Sequence, residues 1–370
     1  MRAIGLLPLF LAPLFLAAGA WAAPLYNIAD LRTLGGFTAE ALGLSANGQA
    51  VGVATTLFGN MHAIDFSVSG NIDLTSGSSA WQGIATGVND SGQISGTQYI
   101  GGQAFATIWQ NGAAGLIAGA GSYAQAINSH GDVAGLLTAS NGQGHAFVTQ
   151  NGHAVDLGTL PGESWASAYA VNDGGAVAGY GDSGSTMTAF PWSPSTGYIL
   201  LGTLGGANSY AMTINDSGAA GGAAQTASGA LHAVIWSGGS IRDLGTLGGA
   251  NSFAYGLNNS GEAVGYSFLA GGGRTHGFLY DARVMLDLNN LIPAGSGWIL
   301  TQAYAINSSG QIVGAGLFHG VEHAFLLTDP PAAVPEPSTA LPAGAAVIAL
   351  FALAISRSAR ILRLARPLRR

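Results

Sequence analysis

LGTLGGANSYAMTINDSG, residues Leu201 to Gly218, returns as LGTLGGANSFAYGLNNSG, Leu244 to Gly261. Glycine-rich doublets of this kind suggest two phosphate loops, two metal loops or two turns of one repeating architecture. A phosphate loop needs a helix N-terminus directly after the glycines. Here the following residues alternate small and large, the pattern of a half-buried strand. Nucleotide binding is therefore rejected, and the doublet is read as a structural repeat.

Working outward from the Asn of INDSG, the same Asn-x-x-Gly turn occurs at Asn89, Asn128, Asn172, Asn215, Asn258 and Asn307, and Ser45 takes the equivalent place in LSANGQAVG. Seven units of about 43 residues match the period of a four-stranded propeller blade, about 40–45 residues. In the last unit, AYAIN (303–307) is a strand, NSSG a turn in which Gly310 takes the left-handed conformation, QIVGAG a second strand and EHAFLLT a third. Elsewhere a DLGTL segment supplies a fourth strand. The last unit stops at Thr328 without one, whereas a spare copy, DLRTLGG, stands at 30–36. The expected fold is thus all-β: a seven-bladed β-propeller closed by pairing of a strand at 30–34 with the last unit, 303–328. Closure removes the exposed sheet edge of an open stack.

Composition narrows the function. The 370 residues include 59 glycines and no cysteine, and only 8% are charged. Disulfides, cysteine catalysis and cysteine-based zinc sites are excluded. Between residues 23 and 329 four arginines face seventeen Asp and Glu, a balance of −13. A body this acidic has no electrostatic footprint for nucleic acid.

The two ends read as addresses. Residues 1–22 carry Arg2, an apolar run and Ala20-Trp21-Ala22, the order of a signal peptide, with cleavage expected after Ala22 or Ala23. The repeat body occupies 24–329 and a Pro-rich linker 330–339. An apolar segment, expected as a transmembrane helix, follows at 340–356, and an arginine-rich tip at 357–370. Pro335-Glu336-Pro337, the apolar segment and the basic tip together resemble the PEP-CTERM sorting signal of Gram-negative bacteria. That resemblance implies an exosortase partner and transient anchoring in the inner membrane with the arginines cytoplasmic. Release to the cell surface or extracellular matrix would follow. The repeats themselves, with His-Ala-Phe at 145–147 and 323–325 and LGTLGG at 201–206 and 244–249, resemble the HAF family of bacterial extracellular repeats, a likeness covering nearly all of 30–328. It implies a secreted, surface-associated protein and supplies no catalytic residues.

Candidate site residues follow from departures from the repeat. His62, His145, His232, His276 and His323 share one repeat position and are read as imidazoles tying a strand to a neighbouring turn. Gln103 and Thr188, their counterparts in the other two units, are poor metal ligands. Asp90, Asp173 and Asp216 follow the turn Asn, but calcium needs about six to eight converging oxygens, so the Asn is read as a brace for its own turn. No metal site and no cofactor is expected. Trp81, Trp165 and Trp298 lie in connections that share a face with the glycine-rich second-to-third loops. Exposed indoles there would suit neutral sugar chains; packing between blades is the alternative. The expected function is therefore non-catalytic binding or scaffolding in a biofilm matrix, with exopolysaccharide as partner. The alternatives are a polysaccharide lyase or glycoside hydrolase with a site on one ring face, and a purely structural matrix protein.

Overall fold

Each Asn-x-x-Gly turn closes in the same way. In the last, Gly310 N–H donates to Asn307 O and Asn307 N–H to Gln311 O, both at 3.1 Å, with Gly310 at φ +78°. An L side chain is disfavoured at that angle, which is why glycine holds this place in all seven turns. The turns join strands into seven four-stranded antiparallel sheets in a computed structural model that describes residues 26–67, 70–76 and 80–329. The signal-peptide segment with Ala22 and Ala23, the Pro335-Glu336-Pro337 motif and everything beyond Asp329 lie outside the described residues.

Blade 5 shows the pattern, with strands Gly205–Ile214, Ala220–Thr226, Leu231–Ser237 and Ser240–Gly245 in spatial order. The first strand of every blade lies innermost. Four residues before the turn Asn, or before Ser45, every blade carries alanine: Ala41, Ala85, Ala124, Ala168, Ala211, Ala254 and Ala303, all buried. Apolar clusters extend from blade to blade. One joins Leu31, Ala39, Ala41 and Ile64 to Val313 and Ala324, and so spans the seam between blades 1 and 7.

Seven residues after the turn Asn, each second strand carries glycine. A Cβ on Gly222 would fall inside the van der Waals radius of Tyr210 O, and one on Gly52 inside that of Glu40 O. The cause of this close approach is a β-bulge. In all seven blades the first strand slips register between the fourth and second residues before the Asn, as at Ala211/Thr213 and Ala254/Gly256. The residue between them has no partner on the second strand.

The ring closes by the spare strand. Asn27–Arg32 pairs antiparallel with Val321–Thr328 and completes blade 7, with Asn27 opposite Thr328 and Asp30 opposite Phe325. It ends earlier than the expected 30–34. Asp30 Oδ1 accepts Arg32 N–H at 2.8 Å, and Arg32 takes φ +64°, which turns the chain away. Leu34 then bridges Thr56 of blade 1. Blades 3 and 5 repeat this ending, with their fourth strands stopping at Gly158 and Gly245 in left-handed conformation.

The expected fold class needs correction at its helix. The one helical element among the described residues is a 3-10 turn, Leu288–Asn290, and none of their helices is long and apolar enough to cross a membrane. The apolar helix placed at 340–356 therefore gains no support, and that segment lies outside the described residues. Transient inner-membrane anchoring, the exosortase partner and the release to the surface that was to follow it are withdrawn with that helix. The polysaccharide partner is likewise not given by the fold itself.

Candidate ligand-binding funnel

Two cavities lie on the ring axis, end to end. The lower, about 260 Å³, opens among the Asn turns; the upper, about 310 Å³, opens toward the heads of the inner strands. Both are lined by Leu44, Val88, Ile127, Leu257 and Ile306, which form an apolar waist between them.

The lower mouth is a structural belt. The Nδ2 of Asn89, Asn128, Asn172, Asn215 and Asn258 each donates to the carbonyl of the next blade's Asn, and that of Asn307 to Ser45 O, at 3.0–3.1 Å. The Oδ1 of each Asn meanwhile braces its own turn, as in Ala219 N–H to Asn215 at 3.0 Å. Ser45 leaves the single gap, where Asn47 reaches Asp90 instead. The turn aspartates are engaged in the same belt: Asp173 accepts from Ser129 N–H and Asp216 from Asp173 N–H, at 2.9 and 3.0 Å. Among the described residues no group of three or more His, Cys, Asp and Glu could hold a metal ion.

The five repeat histidines are held within their blades. Nδ1 of His62, His145, His232, His276 and His323 lies 2.7–2.9 Å from Asp73, Asp156, Asp243, Asp287 and Asp30 respectively. The same carboxylates accept backbone N–H groups that end the fourth strand, as in Gly245 N–H to Asp243 at 2.8 Å. The imidazoles thus latch third strand to fourth, and His323–Asp30 latches the two ends of the chain. Thr188 reaches Glu163 in blade 4 instead.

The upper funnel is built by the bulges. The seven unpaired bulge residues, Leu42, Thr86, Gln125, Tyr169, Met212, Tyr255 and Tyr304, all line the upper cavity. The bulge re-aims these side chains toward the axis while the alanine beside each packs between blades. No charged side chain lines the cavity. Its wall is two-sided: Tyr169, Met212, Tyr255 and Tyr304 occupy blades 4 to 7, and Thr86 and Gln125 occupy blades 2 and 3.

The tyrosines continue outward as an aromatic arc. Tyr169 stacks on Tyr180 at 4.9 Å with hydroxyls 2.9 Å apart, and Tyr180 meets Tyr210 edge-on at 5.1 Å. Tyr255 lies 5.5 Å from Tyr304 and 5.8 Å from Tyr266. Burial, more than any neighbouring charge, pushes the Tyr169, Tyr255 and Tyr304 hydroxyls well above the usual phenol range, so they remain neutral donors. Tyr304 Oη also lies 3.0 Å from Glu40 Oε2 across the closing seam and 2.5 Å from Gln302 Oε1.

Of the three tryptophans singled out from sequence, Trp165 joins this arc, 5.6 Å from Tyr180. Trp298 stacks on Phe318 at 5.0 Å and meets Phe325 edge-on, packed within its own blade. Trp81 lies in the strand Ala80–Val88, with its side chain outside the described residues. They head the inner strands of three different blades. The bulge residues do not stand out in the sequence, because simple alternation conceals a bulge. The signal that reveals them is internal: alignment on the Asn gives an invariant alanine column beside a column of five residue types.

No family model matches the chain, and comparison with curated proteins finds no relative. Solved structures similar to it include TolB from Acinetobacter baumannii, 11% identical over 76% of this chain and 64% of that one, TM-score 0.46. The β-propeller domain of the Trilobed protease from Pyrococcus furiosus is 10% identical over 64% and 78%, TM-score 0.46. A gluconolactonase from Xanthomonas campestris is 14% identical over 84% and 93%, TM-score 0.39. The chain therefore spans about two thirds of the first of these. Likeness at this level concerns the propeller fold alone.

Proposed function

We propose that this chain is a non-catalytic binding propeller of the HAF repeat type, and that its upper funnel holds a neutral carbohydrate of the exopolysaccharide kind. One observation carries the reading: seven bulges turn seven uncharged side chains of five kinds, three of them tyrosines, into an axial cavity. Sugar rings offer an apolar face for aromatic stacking and hydroxyls for neutral hydrogen-bonding groups. Two features support binding without turnover. The repeat histidines are each latched to an aspartate of their own blade, and none lines the funnel. No carboxyl lines the funnel, whereas cleavage of a glycosidic bond needs a pair of them flanking it.

The test is retention of the full chain on immobilised neutral polysaccharides such as dextran, galactomannan and cellulose. Retention on at least one is expected, with Tyr169→Ala and Tyr255→Ala each lowering affinity about tenfold, the loss of one aromatic contact. Circular dichroism confirms that each variant remains folded. Absence of retention on every matrix overturns the reading, as does release of new reducing ends.

A further inference from the structure

The upper cavity lies on the ring axis and narrows inward. Its wall is the closed ring of inner strands, and the apolar waist of Leu44, Val88, Ile127, Leu257 and Ile306 bounds its inner end. Its volume, about 310 Å³, is at the low end of small-molecule sites, about 300–1,000 Å³. A polymer crossing the face would rest on the rim and leave this space unfilled. A single ring entering along the axis would fill it.

Two polar side chains in the wall are open. Gln125, a bulge residue of blade 3, and Thr213, a residue of blade 5 where the other blades have glycine or alanine, both line the cavity. Neither side chain hydrogen-bonds to a described residue. A half-buried amide left without partners loses solvation that a ligand can restore. Glutamine offers both a donor and an acceptor, and threonine a hydroxyl that serves as either. Tyr255 and Tyr304, in contrast, have neighbours for their hydroxyls and contribute ring surface. Open polar groups from blades 3 and 5 and aromatic surface from blades 6 and 7 suit one pyranose ring, with its hydroxyls at the edge and an apolar face.

We infer that the funnel reads chain ends: the axial cavity takes the terminal sugar of a neutral glycan, with Gln125 and Thr213 bonding its hydroxyls and Tyr255 and Tyr304 meeting its apolar face. This inference rests on the function proposed above and narrows it from carbohydrate in general to a terminal unit. The number of sites on a polymer is then its number of ends, whatever its mass.

The experiment uses the full chain and whichever neutral polysaccharide retains it. Partial acid hydrolysis, which multiplies chain ends at constant mass, should raise binding capacity in proportion to the ends created. Glucose, galactose, mannose, fucose and rhamnose are then tried singly as eluants, and the one matching the terminal unit should release the protein. Gln125→Ala should weaken binding about tenfold, as the loss of one or two hydrogen bonds does. Its unfolding midpoint should not move, because Gln125 supports nothing in the fold. If capacity follows mass, no monosaccharide elutes and Gln125→Ala binds as before, recognition of ends is overturned while carbohydrate binding stands. If no polysaccharide retains the protein, both fall.

Discussion

Asn215 accepts from its own turn through Oδ1 and donates to blade 6 through Nδ2, while nearly fully buried. The sequence displays the first role, because Asn before a turn glycine is a known brace. The second depends on another blade's carbonyl 43 residues away and has no local signature. Replacing it by alanine leaves the buried Ala219 N–H without its acceptor and opens the belt, so Asn215→Ala should cost about 2 kcal/mol. The midpoint of urea unfolding measures this, and an unchanged midpoint would remove the belt from the account. The reverse experiment exists at Ser45, the one interruption. Ser45→Asn places a donor where the neighbouring blades have one, within reach of Asn89 O, and should stabilise by about 1 kcal/mol. Denaturation of the two variants side by side distinguishes a closed belt from seven independent turns.

At the scale of the strand, the glycine in each second strand and the bulge in each first strand form one device. Gly222→Ala pushes a methyl into Tyr210 O, and either the bulge flattens or the strands part. The expected cost is about 2–4 kcal/mol. A flattened bulge would also withdraw Met212 from the cavity, so binding should fall more than stability alone explains. Much of this architecture was legible from residues: the turns from Asn and Gly, and the closing strand from the displaced DLRTL copy; the recurrence of His marked a tie, but to a neighbouring turn and not to the fourth-strand aspartate it meets. The bulge was not legible, since strand alternation reads the same with or without one extra residue. The closing strand provides its own test. Asp30→Ala removes the acceptor of both His323 and Arg32 N–H and should lower stability by about 1 kcal/mol. Deletion of Asn27–Arg32 exposes the whole edge of Val321–Thr328 and should produce aggregation visible by light scattering. A monodisperse deletion variant would show that the ring does not need its clasp.

The ring as a whole brings together residues that the chain holds far apart, and this is why the site is less legible than the fold. Nothing in the sequence places Glu40 beside Tyr304 and Glu322, yet the closing seam does so. The groups facing one another there are Glu40 from blade 1 and Gln302, Tyr304 and Glu322 from blade 7, with Tyr255 of blade 6 behind them and no basic side chain among them. Burial first, then the Glu40 carboxyl, hold Glu322 above the ordinary carboxylate range. A carboxyl whose affinity for its proton rises on folding stabilises the folded state where that proton is bound, below its ordinary value of 4.5, and loses this contribution as the pH climbs through the raised value. The glutamine variant has no proton to lose. Glu322→Gln should therefore match the parent near pH 4 and exceed it at pH 7, with solvent screening of this half-exposed pair keeping the difference within about 1 kcal/mol. Thermal unfolding of both proteins across that interval gives the curve. Parallel profiles would mean that the seam does not raise the affinity of Glu322 for its proton. A gap that widens toward neutral pH would show that burial at the seam of the first and last blades, together with the Glu40 carboxyl, holds the proton on Glu322.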